Sequence, residues 1–311
     1  MMKRSGNGTF FYNLRKYRHL YFLILPGFVY FIVFHYIPMF GVVISFQNFQ
    51  PFSGLQKMIF QPEWVGLRHF QTFFNSFYFN RLLTNTLLIS GYKLLFGFPA
   101  AIILALMINE VTHNGFKRMV QTISYLPHFL SWVIITGMLV TMLAQTTGPI
   151  NTIITAFGGT PIAFLGETGY FRSILVASDM WAKVGWGSIL YLAALSGINP
   201  ALYESARMDG ANRLQQAIHI SLPGISHIIT ITLVLSVGDI LNAGFEQVVL
   251  LYSPVVYSVG DIIDTYVYRE GLLNSNFSYA AAIGMFKNVV GLIFLLVTNY
   301  AVKRMGKEGI W

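Results

Sequence analysis

The stretch NPALYESARMDGANRLQQAIHISLP, residues 199–223, lies between two apolar blocks, Phe171–Leu195 and Ile225–Leu241. Asn199 followed by Pro200 predicts a helix start, a side-chain cap with proline at the first helical position. Good helix formers run on to Met208. Asp209-Gly210 then predicts a stop, because glycine takes the left-handed conformation without steric cost. Asn212 with Gln215 three residues later opens a second helix through a capping box, and Leu222-Pro223 closes it. A short helix, a glycine bend and a second helix between two long apolar runs make a projecting knob. Such a knob is shaped to dock a small apolar face into a groove on a partner protein, and a merely solvated connection is the alternative.

Working outward, the flanking blocks prove to be two of six. Leu20–Phe46, Leu82–Met107, Met119–Leu143 and Tyr279–Val302 complete the set. Each suffices to cross a hydrocarbon layer that needs about 20 residues of helix. The whole chain agrees: 55% of its 311 residues are hydrophobic, only 10% are charged, and the mean hydropathy is +0.59. A water-facing surface needs about 25% charge. The expectation is an all-α integral membrane protein of about six transmembrane helices.

The net charge of +8 does not point to nucleic acid, because the basic residues flank the apolar blocks instead of forming a basic face. With the N-terminus inside, twelve Lys and Arg fall in inner segments and only Lys57, Arg68, Arg81 and Arg269 in outer ones. That bias puts both termini in the cytoplasm. The apolar run behind the basic N-terminus is too long for a signal peptide and has no A-x-A-like cleavage site, so it reads as a retained span. The division expected is a tail over 1–19, a first span over 20–46, an external connection over 47–81, a five-helix core over 82–303 and a tail over 304–311. The composition shift over 46–81 predicts a peripheral first helix. The connection 144–170 holds no Lys or Arg and reads as external, as does 242–278.

The chain has no cysteine, and its seven histidines show no metal-ligand spacing, so no metal site is expected. It contains no G-x-x-x-x-G-K-[ST] phosphate loop and no catalytic constellation. Charges within the blocks each need a partner or a watery cavity. Asp179 and Lys183 are four apart on one helix face and predict a mutual pair. Lys93 and Lys287 would snorkel, pair across helices or line the pathway. Asp239, followed by Asn242 and Glu246, lies on a polar fifth span and is the foremost candidate for the pathway. Trp181 and Trp186 would stack on sugar rings or serve as interface anchors.

Glu204-Ser205-Ala206, then Asp209-Gly210-Ala211, then Ile220 with Leu222-Pro223, resembles the EAA loop of permease subunits in binding-protein-dependent ABC importers of the type I fold. The register holds without a gap over twenty residues. Ser205 replaces the usual alanine, and Ala217 stands where a large aromatic is common. Tyr125-Leu126-Pro127, the segment Leu192–Pro200 and Trp64–Phe70 resemble the carbohydrate branch, especially permeases for polysaccharide or oligosaccharide uptake.

The resemblance implies that this loop is a cytoplasmic coupling helix seated in a separate ATPase. Glu204 would pair with that partner, Ser205 and Asp209 would lie in the same contact, Gly210 would permit the bend, and Ala206 and Ala211 would allow close approach. It also implies a second, unlike permease subunit, two ATPase subunits that use ATP and Mg, an external solute-binding protein and a bacterial cytoplasmic membrane. The solute would be an oligosaccharide, with an acidic one from a plant or algal polysaccharide as one option. The chain itself would be no enzyme and bind no cofactor. An ion-coupled secondary transporter is the rival, but it predicts internal repeats and paired broken spans, and neither is evident.

Overall fold

The computed structural model describes Tyr12, residues 15–49 and 62–306, and Gly309. Lys3, Arg4, Lys57 and Lys307, part of the charge count above, lie outside these residues, as do most of the N-terminal tail and residues 50–61 of the first connection. The described residues form helices, and their one isolated β contact is an antiparallel bridge between Gln47 and Trp64.

Three helices are long and apolar enough to cross a membrane: α1 (Arg18–Phe46), α3 (Phe79–Glu110) and α14 (Phe277–Arg304). The short α2 (Arg68–Phe74) follows the first connection. α1 is peripheral, as its composition predicts. Its most apolar window buries nothing inside the chain, and its last turns pack on α14.

The third block is not the single span expected over Met119–Leu143. It divides into α4 (Asn114–Tyr125) and α5 (Trp132–Met142), which meet at 99°. The cause is local. Pro127 follows a helix that would otherwise continue, a 3-10 turn covers Leu126–Phe129, and Ser131 restarts the helix by accepting from Ile134 N. α4 is amphipathic, with Asn114, Lys117, Arg118 and Gln121, and it buries no residue in the core. After α6 (Pro149–Ala156) comes α7 (Thr168–Ser196).

α7 is the fourth block. Its 29 residues reach about 43 Å at 1.5 Å per residue, enough to cross. It carries Arg172, Asp179 and Lys183, which lower its apolarity below that of the three long spans. These charges are tolerated because α7 packs along α3 for much of its length.

The stretch 199–223 follows as α8 (Pro200–Met208) and α9 (Arg213–Gly224), and α9 leads at 64° into α10 (Ser226–Gly238). The fifth block therefore stops at Gly238, three residues short of the expected Leu241. The segment 242–278 is far from a loose connection. It folds as α11 (Phe245–Leu251), α12 (Tyr257–Gly260) and α13 (Ile263–Tyr268), with Gln247, Asp261 and Thr265 fully buried.

α3 is the spine of the core. Leu82 joins Phe73, Ile263 and Ile283 at one end, Ile89 joins Phe171, Leu175 and Val248 in the middle, and Ala105 joins Leu195 and Ile225 at the other. The knob α8–α9 lies at this last end, where Arg213 donates to Glu110 O at 3.1 Å.

Candidate functional site: a projecting knob and a polar cavity

The knob is specified residue by residue. Asn199 Oδ1 accepts from Ala201 N at 3.0 Å, and Pro200 occupies the first turn. At the other end of α8, Gly210 adopts φ +81°, with Ala211 N donating to Ala206 O and Gly210 N to Arg207 O. These two bonds close a left-handed helix stop. Asn212 Oδ1 accepts from Gln215 N at 2.9 Å, while Gln215 Oε1 accepts from Asn212 N at 2.8 Å, so the capping box is complete. The hydroxyls of Tyr203 and Ser221 lie 2.8 Å apart and tie α8 to α9.

Two features mark the surface of the knob. Ser205 donates to Ala201 O within its own helix, so the serine adds no unsatisfied hydroxyl to the surface. The knob also presents apolar side chains to its surroundings: Met208 is 89% exposed, Leu214 70% and Leu202 52%. Glu204 is exposed beside them, and Ala206, Asp209, Gly210 and Ala211 line the cleft between the helices. Leu222 and Pro223 stand exposed at the 64° bend into α10.

The second feature is a cavity of about 480 Å³ between α3, α7 and α10. Its polar wall centres on Asp179. Lys183 Nζ lies 2.8 Å from Asp179 Oδ1, the pair expected from the spacing, and Lys93 Nζ approaches the same oxygen at 3.2 Å from α3. Lys93 also donates to Ala243 O at 2.8 Å and to Gln247 Oε1 at 2.5 Å, while Gln247 Nε2 donates to Leu175 O and Ser178 Oγ. One buried ammonium thus holds α3, α7 and the turn before α11 together. In a bilayer such groups are stable only when fully partnered.

Asp239, Asn242 and Trp186 line the same cavity as Lys93 and Lys183. Four of the seven pathway candidates therefore converge. The other three do not. Lys287 lies across α10 and pairs with Asp264 through both carboxylate oxygens, at 2.6 and 2.8 Å. Trp181 lies two residues from Asp179, about 200° around α7, and is exposed outside the cavity. Glu246 sits exposed in the first turn of α11, also outside it.

Residues 97–307 match the family described as "Binding-protein-dependent transport system inner membrane component". The chain belongs to that family. A Bacillus subtilis (strain 168) relative, "Polygalacturonan/rhamnogalacturonan transport system permease protein YteP", is 44% identical over 311 residues, covering 100% of this chain and 96% of the relative. A bacterial alginate ABC transporter, solved with an alginate pentasaccharide-bound periplasmic protein, contains a chain 43% identical with a TM-score of 0.86, covering 96% of this chain and 98% of that one. A second structure, of an ABC transporter importing the acidic polysaccharide alginate, aligns with a TM-score of 0.88 at 43% identity, over 96% of this chain and all of the other. This permease thus has the type I importer fold.

The permease also contains a polar lock that its spacing does not reveal. Asp261, fully buried, receives Arg269 at 3.2 and 2.7 Å and Thr265 Oγ1 at 2.9 Å, with Arg81 at 3.7 Å. Asn85 donates to Asp261 O and accepts from Arg172 at 2.7 Å. These bonds clamp the segment 253–269 onto α3 and α7. The one signal in the sequence is an acid set between apolar runs, Val259-Gly260-Asp261-Ile262-Ile263.

Proposed function

We propose that this ABC importer permease forms one half of a pathway for an acidic oligosaccharide and draws its energy from a partner ATPase seated on α8–α9. The knob carries this reading. Two capped helices, fixed in shape before any partner arrives, present exposed Leu202, Met208 and Leu214 with Glu204 among them. A preorganised apolar surface of that kind suits a groove, because little conformational freedom remains to be lost on docking. Glu204 pairs with a basic or polar group of the ATPase, Gly210 sets the bend, and Ala206 and Ala211 admit close approach. ATP and Mg are handled by that partner, since this chain has no phosphate loop.

The remaining partners are a second, unlike permease subunit and an external solute-binding protein. With the knob in the cytoplasm, the positive-inside bias places both termini there as well. The solute class rests on the relatives. One is named for polygalacturonan and rhamnogalacturonan and another for alginate, all of them polymers containing uronic acid. The cavity around Asp179 and Trp186 is the part of the pathway that this subunit supplies.

The test is Glu204→Lys in the complete importer, with membrane insertion checked by fractionation. Uptake of a labelled oligogalacturonate is expected to vanish while the permease stays in the membrane at wild-type level. Normal uptake by the variant would remove the knob from the energy-coupling path.

A further inference from the structure

Trp186 is held in a way that packing alone does not demand. α4 and α7 approach so closely that a Cβ at Gly185 would lie 1.9 Å from Ser124 O, and glycine alone permits the crossing. Four residues beyond Ser124, in the turn that breaks the third block, His128 lies parallel to Trp186, with centroids 4.5 Å apart and planes 5° apart. Phe129 stands perpendicular to the indole with centroids 5.5 Å apart. His128 covers one face of the indole. Trp186 is still 45% exposed, and it lines the cavity.

The polar groups beside it are unequally engaged. Lys93 is 10% exposed and committed to Asp179, Ala243 and Gln247. Lys183, one turn before Trp186 on the same face of α7, touches only Asp179 among these groups, and its side chain is 53% exposed. Residues three apart on a helix are neighbours, so an open ammonium stands next to an open aromatic face. Asp239 and Asn242 face them from the turn after α10. The charged lining is balanced, two lysines against two aspartates, so the cavity does not act as a general anion trap.

We propose that Trp186 is a pyranose-stacking subsite of the pathway, with Lys183 donating to the carboxylate or hydroxyls of the stacked residue. This rests on the function proposed above. A pyranose ring offers an apolar C–H face and a polar rim, and a fixed aromatic plane flanked by a cation, a carboxylate and an amide matches both. His128 is a positioning residue: it backs the indole and keeps its free face turned to the cavity. Trp181, exposed on another side of the same helix, has no part in the subsite.

The absence of cysteine allows a direct measurement. Leu190→Cys, one turn beyond Trp186 in the same cavity lining, serves as the reporter in the reconstituted importer with cysteine-free partner subunits. Its modification by a methanethiosulfonate reagent is followed against trigalacturonate concentration. Trigalacturonate is expected to protect, and Trp186→Leu to raise the concentration needed about ten-fold. Trp186→Phe keeps part of the protection. His128→Ala weakens protection and His128→Phe restores it, a rescue that a purely structural histidine would not show.

Uptake of trigalacturonate by the same preparations separates the two readings. Wild-type uptake without protection, or protection undiminished in Trp186→Leu, overturns the subsite and leaves the importer standing. Failure of the unsubstituted importer to take up any uronic oligosaccharide overturns the substrate class itself. Should Trp186→Leu fail to assemble, Lys183→Gln gives the same answer: weakened protection supports the subsite, and unchanged protection rejects the role of Lys183.

Discussion

The knob and the cavity are built by opposite means. In α8–α9 the bonds that start and stop each helix join residues two to five apart: Asn199 to Ala201, Ala206 to Ala211, Asn212 to Gln215. Around Asp179 the decisive contacts join Lys93 to Ala243 and Gln247, about 150 residues away, and Gln247 to Leu175. The knob holds its shape as a local unit and leaves Leu202, Met208 and Leu214 exposed. The cavity wall exists only when three helices and a turn have come together. On the function proposed above, the part that docks on the ATPase is thus made rigid by its own backbone, whereas the part that lines the pathway is held by bonds between separate elements.

Four single substitutions and one double variant would break or sharpen that contrast. The largest effect belongs to the cavity. Asp179→Leu leaves Lys93 as a buried charge without its counter-ion, and the loss expected is about 3–5 kcal/mol. It should appear as a large drop in the melting temperature of the purified complex. Lys93→Met combined with Asp179→Leu should recover most of that loss, and a double variant as unstable as the single one would show that the pair is not the source.

Gly210→Ala comes next. At φ +81° a Cβ costs about 1–2 kcal/mol, and because the knob is local the cost should fall on coupling. Uptake should drop while the melting temperature of the membrane core stays constant. Asn212→Ala removes one cap and is expected to weaken the second helix by about 1 kcal/mol, read as faster amide exchange confined to residues 211–217. The smallest effect is Ser205→Ala, expected to change uptake and stability by less than about 0.5 kcal/mol, since that hydroxyl bonds only its own helix. A strong loss of uptake in Ser205→Ala would mean that the serine meets the ATPase directly.

The same contrast explains what was legible in the sequence. The caps of the knob follow from residue types at fixed short spacing, and both are legible in the sequence alone. The pair Asp179–Lys183 follows from helical periodicity. Lys93 is different: its charge demanded a partner, but the choice among snorkelling, the pathway and a cross-helix pair depended on where α11 turns back. The break at Leu126–Phe129 hid inside an apolar block, because hydropathy averages over the bend that Pro127 imposes. Gln247 carried a faint signal as an amide in the run Phe245–Leu251, although nothing local says that it bridges to α7. Trp181 and Trp186 look alike in the sequence, and only the rotation of α7 separates them.

Asp179 also bears on how the chain enters its membrane. α7 carries Arg172, Asp179 and Lys183, each unfavourable by about 2.5–3.5 kcal/mol if placed at the centre of a span on insertion scales. Such a helix is a poor candidate for independent partition into lipid, whereas α3, free of acids until Glu110, enters with one internal lysine. The partners of α7 are supplied by residues synthesised both earlier and later: Asn85 and Lys93 before it, Val259 after it. The full set of partners for the polar groups of α7 therefore exists only once the segment after α10 has been made.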